Sequence, residues 1–461
     1  MAFPPRRAVL GMVILNAFST PLMLSAVNVA LPAMTLELEL SAVLLAWVPM
    51  IYLMASAMFV LVFGRIADTC GRKRIFLIGT GAAILSSLLA AVATGPCTLL
   101  GARFLQGVSA AMLYATQMAL VSTVFPPAQR GRMIGWVISA VYTGLAAGPL
   151  IGGTIVDVLG WRFSFLLQVP LALIVLFVGV CAVRGDWKSR EQAALDLQGV
   201  FSQGVGIVLF CLGVSQLPHP GGAALLAAGL GALCYFFSHC RRSPNALWDV
   251  SLFFNNRIFT FSCLAALILY SATFANLVLV SLYLQYLKGL PAASAGMVMM
   301  IQPATMAVFS PWLGRLSDRV EPRLLASLGM AITAAGLVML AQLRAESPFP
   351  AVYSALVMTG LGFSLFSSPN TNAIMGAVDP ERYGSASATI AVIRLFGQLN
   401  SMVLVTLALA LAVGNTRIGV ENYFHLEQAI GLGFSIAAGL CLPGILLSLK
   451  RGRMHSRLAN R

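Results

Sequence analysis

The sequence predicts an all-α integral membrane protein of fourteen helices, and three observations lead there. Of the 461 residues, 59% are hydrophobic and only 10% charged, a balance that excludes soluble globular and disordered classes. Apolar runs recur along the whole chain, and no polar stretch between them is long enough to hold a soluble core. Basic residues gather in short clusters between the runs, so the net charge of +14 reads as a membrane-orientation signal and not as a nucleic-acid footprint.

A span needs about 20 apolar residues to cross the hydrocarbon core. On that rule fourteen follow one another, centred roughly on residues 19, 54, 84, 110, 146, 174, 207, 230, 270, 303, 332, 361, 399 and 440. Arg6 and Arg7 precede the first run, but it continues to Leu31, beyond the apolar segment of a signal peptide, and is expected to be a retained span. An even count puts both termini on one side. With that side cytoplasmic, 23 of the 29 basic residues fall in inner loops and tails, and only Arg162, Lys288, Arg344 and Arg417 face outward, as the positive-inside rule requires. Arg103 and Arg394 lie inside spans. The expected location is a cell membrane, bacterial inner or plasma membrane, crossed many times with both termini cytoplasmic.

Eight cysteines, mostly inside apolar runs, form no C-x-x-C pair, and His219, His239, His425 and His455 sit at span ends or in loops. Neither a disulfide framework nor a metal site is supported, and no cofactor is expected.

The chain also repeats itself. Gly64-Arg65-Ile66-Ala67-Asp68-Thr69-Cys70-Gly71-Arg72-Lys73 lies between spans two and three, and Gly314-Arg315-Leu316-Ser317-Asp318-Arg319 lies 250 residues later, between spans ten and eleven. Duplicated halves are common in carriers. Residues 1–184 and 258–461 are therefore expected to be six-helix bundles, with two inserted spans and a linker in 185–257. Within that linker, Trp248, Leu252, Phe253 and Phe254 either lie along the membrane surface or belong to an ordinary connecting loop.

In the first repeated loop Gly64 and Gly71 permit a tight turn, Asp68 can accept hydrogen bonds at a helix terminus, and Arg72 and Lys73 are expected to anchor to anionic headgroups. Gly314 and Asp318 are their counterparts. Burying Arg103 without partners costs roughly 3 kcal/mol on insertion scales, so a role is expected for it, with Gln106 one turn on as partner. Arg394 follows the same logic nearer the cytoplasmic end. Gly144, Gly148 and Gly152, spaced by four, form a smooth ridge on span five, with Gly153 beside it and Pro149 bending the helix. That ridge suits close packing and rocking alike. Asn276, Gln302, Asn370 and Asn372 are amides with no partner in lipid and are candidates to line a cavity.

These stretches resemble the major facilitator superfamily. The Gly64 to Lys73 segment is similar to its signature loop, Leu99 to Gly107 to its buried-arginine motif, and Gly144 to Gly153 to the glycine-proline motif of its exporters. Val27-Asn28-Val29-Ala30-Leu31-Pro32, with Trp47 and Tyr52, is similar to the fourteen-span drug:proton antiporters of multidrug efflux type. The resemblance implies the major facilitator fold, Asn28 among the transport residues, and a chain acting as a monomer. It implies secondary active export of small amphiphilic compounds or drugs by alternating access, coupled to protons. One departure stands out: those antiporters usually carry an aspartate five residues before the asparagine, where this chain has Met23. Among the acidic residues only Asp157, near the outer end of span five, falls within a span, which makes it the candidate for coupling. The alternative is a lipid or metabolite exporter, or a facilitator without proton coupling. A membrane enzyme would need His, Asp, Glu or Cys clustered near an interface, and a channel a re-entrant selectivity segment; neither is visible. Expected partners are a small-molecule substrate, the bilayer and, in the antiport reading, protons; nucleic acid is not among them.

Overall fold

Backbone amides in hydrocarbon can only be satisfied within their own segment, so apolar runs of this length become helices. The computed structural model describes residues 6–183, 185–187, 195–243, 245–317, 319–379 and 383–452. Fourteen of its helices are long and apolar enough to cross a membrane: Arg6–Glu37, Ala42–Cys70, Arg72–Ala91, Pro96–Val124, Gln129–Leu159, Arg162–Cys181, Leu197–Ser215, Pro220–Arg242, Arg257–Leu287, Ala292–Leu316, Pro322–Ala341, Phe349–Gly376, Ser385–Ala412 and Val420–Lys450. They are numbered one to fourteen in chain order, and every centre expected from the sequence falls inside its helix.

The packing repeats as the loops do. In the first half span one lies against five and six, four against two and three, and three against six. In the second half nine lies against thirteen and fourteen, twelve against ten and eleven, and eleven against fourteen, which is the same pattern eight spans on. The halves meet along two equivalent seams, two with thirteen and five with ten, and through span one against nine. Spans seven and eight pack on each other, and seven also touches both two and thirteen, so the inserted pair sits over one seam.

Three spans are interrupted, span six near its start at Leu167 and two others deeper in. Span nine breaks at Phe274 and Ala275, restarts at Asn276 and ends in a π-helical turn over Tyr283–Leu287. At that break Ser401 of span thirteen accepts the backbone N–H of Ala275 at 2.8 Å. Span ten breaks at Met300. Helix interruptions at mid-membrane are tolerated where neighbours satisfy the freed backbone, and they mark sites in carriers.

Three expectations are corrected. The Gly64 to Lys73 segment is a loop only at Gly71: span two stays helical through Cys70 and span three begins at Arg72. Gly71 has φ of +115°, and an added Cβ there would run into the Asp186 carboxylate, so glycine is needed on both counts. The segment with Trp248 is not a loose connecting loop. Arg65 of span two donates to the Ala246 carbonyl, the Trp248 indole donates to Thr389 Oγ1 of span thirteen at 3.2 Å, and Leu252 is buried. Its rings find aromatic partners, Phe253 lying 5.4 Å from both Trp248 and Phe259, which makes it a strap joining the halves. Arg451, counted from sequence as a tail charge, is buried; its Nη1 donates to Asn370 Oδ1 at 2.7 Å and Ser262 Oγ at 3.2 Å.

Candidate transport site

Arg103 on span four is fully buried. Its Nε donates to the Val48 carbonyl at 3.1 Å and its Nη1 to Gln106 Oε1 at 2.8 Å, while Gln106 Nε2 donates onward to Ser87 Oγ at 3.0 Å. The guanidinium lies 4.6 Å over the Tyr52 ring and 5.9 Å from that of Phe165. Its second neighbour on Nη1 is the Met23 thioether at 3.8 Å, so the slot that departs from the antiporters faces this arginine. Nη2 is buried with no partner among the described residues. A contact chain leads outward: Tyr52 OH meets Tyr114 OH at 3.3 Å, and half-buried Arg394 of span thirteen lies 5.8 Å over the Tyr114 ring. Two arginines, one in each half, are thus joined through two tyrosines.

Asn28 and Asn276 form a second constellation. They sit in spans one and nine, which hold equivalent places in the two halves, and their separation of 248 residues nearly equals the 250 of the loop repeat. Both are buried, and neither end of either side-chain amide finds a partner among the described residues. Pro32, four residues after Asn28, has no N–H to offer the Asn28 carbonyl. Buried polar groups left unpaired are costly, so these two amides stand out from the satisfied ones around them. Sequence spacing alone could have paired them, since their offset matches the repeat.

The other amides are placed differently. Asn370 is tied to Arg451 and donates to the Ser262 carbonyl at 3.0 Å, and Asn372 donates to Ser317 Oγ at 2.7 Å; both brace the second half. Gln302 is buried just past the break in span ten, its backbone abutting Gly360 of span twelve.

The glycine ridge packs within its own half. An added Cβ on Gly144 would strike the Phe18 backbone, on Gly148 it would lie 2.6 Å from Ser25 Cβ, and on Gly152 2.5 Å from Ala26. Pro149 leaves the Leu145 carbonyl without its helical donor, and Ser25 Oγ fills that place at 3.3 Å. On the adjoining face Gly153 meets Ala292 and Ala293, and Gly296 meets Pro149, so the same motif also closes the seam between spans five and ten.

That seam is sealed at the side away from the termini. Asp157 accepts the backbone N–H groups of Ala292 at 3.1 Å and Ala293 at 2.8 Å, at the start of span ten. It is exposed at the helix end, not buried at mid-depth. Gln285 Nε2 donates to the Val29 carbonyl at 2.9 Å, the Ala42 N–H to the Thr416 carbonyl at 2.9 Å, and Arg417 pairs with Glu39 at 2.5 Å, each across the two halves.

At the terminal side Asp68 accepts from Arg72 Nε at 3.1 Å and Nη2 at 2.9 Å, and Arg72 Nη1 reaches Thr123 Oγ1 at 2.6 Å. Lys73 Nζ donates to the Val183 carbonyl. The expected headgroup anchors are thus spent on ends of neighbouring helices. The cap expected of Asp68 belongs to Asp186, which accepts the Lys73 and Trp187 N–H groups at 2.9 and 2.8 Å. Gly314 lies inside its helix beside Ser368, and Asp318 lies outside the described residues. A further polar knot ties the inserted pair: Asp196 accepts from Gly199 N at 2.9 Å, meets His239 Nε2 at 2.9 Å and accepts Leu247 N at 3.3 Å. Burial pushes the Asp196 carboxyl up, but the Gly199 N–H, His239 and the Leu247 N–H together outweigh it and hold the carboxyl below its ordinary value.

Two repeated bundles meeting along paired seams, with interrupted helices and unpaired polar groups between them, define a polytopic membrane carrier. The Major Facilitator Superfamily profile matches residues 13–402; the chain belongs to that superfamily and is a secondary transporter. It is 27% identical over 444 residues to the riboflavin transporter RibZ of Clostridioides difficile, covering 96% of each chain. It is 30% identical over 418 residues to the multidrug resistance protein Stp of Mycobacterium tuberculosis, covering 88% of this chain and 75% of the relative. With the cephamycin export protein CmcT of Amycolatopsis lactamdurans it shares 30% over 441 residues, 93% of this chain and 90% of the other. In three dimensions it resembles a peptide transporter POT crystallised with sulfate, with a TM-score of 0.68 at 15% identity, covering 95% and 94% of the two chains.

Proposed function

We propose that this transporter exports small amphiphilic compounds, neutral or anionic, from the side of its termini. Residues 1–184 and 258–461 rock against each other, with 185–257 as the inserted strap, and both termini are cytoplasmic, as the distribution of basic residues favours. The observation that carries the substrate reading is the pairing of Arg103 with Met23. A buried cation with a thioether where related antiporters hold a carboxylate leaves an uncompensated positive charge and one unpaired Nη2, and an anionic group on the substrate offsets both. Tyr114 and Tyr52 lead to it from the seam, and the amides of Asn28 and Asn276 serve the polar part of the ligand. A dication entering the same site would be desolvated with no counter-charge. Two of the relatives are a multidrug resistance protein and a cephamycin export protein, which favours export of drug-like compounds.

Proton coupling through Asp157 is a second reading, favoured by one observation. Its carboxylate bridges spans five and ten at the sealed side, so protonation would weaken the seal from the side that protons enter. Efflux from vesicles across a panel of anionic, neutral and dicationic amphiphiles, with and without an imposed pH gradient, tests both. Anionic substrates are expected to move, with a gradient dependence that Asp157→Asn removes. Vigorous export of a dicationic dye by the unaltered protein would overturn the substrate reading, and gradient-driven transport that survives Asp157→Asn the coupling reading.

A further inference from the structure

Spans one, five and six leave an apolar groove between them in the half of the membrane nearest the termini. It encloses about 590 Å³ and is lined by Gly11, Leu15 and Phe18 of span one, Trp136 and Ala140 of span five, and Val178 of span six. Its origin lies in the glycine ridge. From Gly144 outward, span five touches span one directly, at Phe18, Ser25 and Ala26. Nearer the termini the faces of the two helices that carry Gly11, Gly131 and Gly135 are open, and a Cβ added at any of the three would meet nothing within 4 Å.

The groove has the depth of one lipid leaflet. Its lining on span one runs from Ala8 to Phe18, about 15 Å at 1.5 Å per residue, against roughly 30 Å for the whole hydrocarbon core. Of its lining hydroxyls, that of Thr143 is already bonded to the Ser139 carbonyl at 2.9 Å. Its mouth is basic. Exposed Arg7 stands one turn before Gly11, on the helix face that continues through Leu15 and Phe18, and exposed Arg132 stands one turn before Trp136 on the face that continues through Ala140. Two cations from two helices therefore flank the end of an apolar slot at the level where headgroups lie.

We propose that this groove is a binding site for one anionic phospholipid of the leaflet on the side of the termini, with an acyl chain along Gly11, Leu15, Ala140 and Trp136 and the phosphate between Arg7 and Arg132. The site is separate from the seams between the halves and does not depend on which compound is carried. The lipid wedges spans one and five on the side where the glycine ridge does not hold them, so it fixes the angle about which that ridge packs.

The test uses the full-length protein in phosphatidylcholine vesicles containing a tail-brominated phosphatidylglycerol or a tail-brominated phosphatidylcholine at equal mole fraction. The signal is the quenching of Trp136, taken as the difference between the unaltered protein and Trp136→Phe. Brominated phosphatidylglycerol is expected to quench Trp136 at roughly fivefold or more lower mole fraction, since each surface arginine favours anionic lipid by about that factor. Arg7→Gln with Arg132→Gln should bring the two lipids level. Gly11→Leu, whose side chain enters open space, should abolish the preference by filling the slot while leaving the fold intact. Equal quenching by both lipids in the unaltered protein, or a preference that survives Gly11→Leu, would overturn the proposal. So would displacement of the brominated lipid by a transported compound, which would make the groove a substrate site.

Discussion

The thioether of Met23 lies 3.8 Å from the guanidinium of Arg103, and both residues are buried in the first half. The contact joins the position where the sequence resemblance leads one to expect an aspartate to an arginine that is fully buried. In space that position is the neighbour of a buried cation. Supplying a carboxylate there changes the charge of the site by one unit at contact distance, and the effect is directional.

Met23→Asp is expected to pair with Arg103 internally, lowering export of anionic amphiphiles by at least tenfold, as a coupling of about 1.4 kcal/mol suffices for that factor. Arg103→Met should lower it as much, by removing the cation outright. Transport in vesicles measures both, and unchanged anion export in either variant would detach Arg103 from substrate.

Asp157→Asn keeps a side-chain acceptor but loses the charge that strengthens its bonds to Ala292 and Ala293. The sealed side should open more often, by about tenfold in equilibrium for a loss near 1.4 kcal/mol. Labelling of a cysteine introduced at Ala293 by an impermeant reagent reads this directly, and the rate should rise in the variant.

The Asp68 and Arg72 side chains are 40% and 26% exposed, so their pair is worth at most about 1 kcal/mol of stability. Asp68→Asn should hardly change thermal unfolding or substrate affinity. It should slow transport several-fold, because Arg72 then loses the partner that orders it against Thr123 at the ends of spans two to four. A large loss of equilibrium binding with normal turnover would contradict this.

Gly148→Ala would bring its methyl to 2.6 Å from Ser25 Cβ and 2.7 Å from the Leu22 carbonyl, an overpacking cost of about 1 to 3 kcal/mol. Ser25→Ala should cost about 1 kcal/mol by leaving the Leu145 carbonyl without a donor beside Pro149. Thermal unfolding of the purified protein checks each.

Asp196 predicts a pH dependence with a definite sign. Its carboxyl is held below the ordinary value near 3.8, so its stabilising contribution is fully present above that value and is lost as pH falls through the lowered one. Asp196→Asn should remove this acid limb and cost about 1 to 3 kcal/mol at neutral pH, since the Gly199 and Leu247 N–H groups lose a charged acceptor. Thermal unfolding as a function of pH gives both.

Much of the site was legible along the chain. Arg103 with Gln106 was readable because a charge in hydrocarbon demands a partner one turn away, and the ridge of Gly144, Gly148 and Gly152 because its period is that of a helix face. Asn370 and Asn372 illustrate the limit. As polar residues in a span they read like Asn28 and Asn276, yet Arg451 and Ser317 satisfy them from elsewhere in the second half. Whether a buried amide faces a ligand or a structural partner depends on what lies across from it, and that is not written near it in sequence.

By itself the sequence determined the number of spans, their places and their duplication, because hydrophobic length and helical period are local quantities that the bilayer reads without reference to tertiary contacts. Tertiary structure decided the rest. It set Met23 against Arg103, joined Arg103 to Arg394 through Tyr52 and Tyr114, folded the Trp248 segment into a strap, and put Asp157 on the N-terminus of span ten. Each of these joins residues far apart in the chain, and their partners are chosen by which helix faces meet. Helix faces meet where small residues such as Gly144, Gly148 and Gly152 let backbones approach, so shape complementarity between helices, and not hydrophobicity along them, decides which side chains face one another.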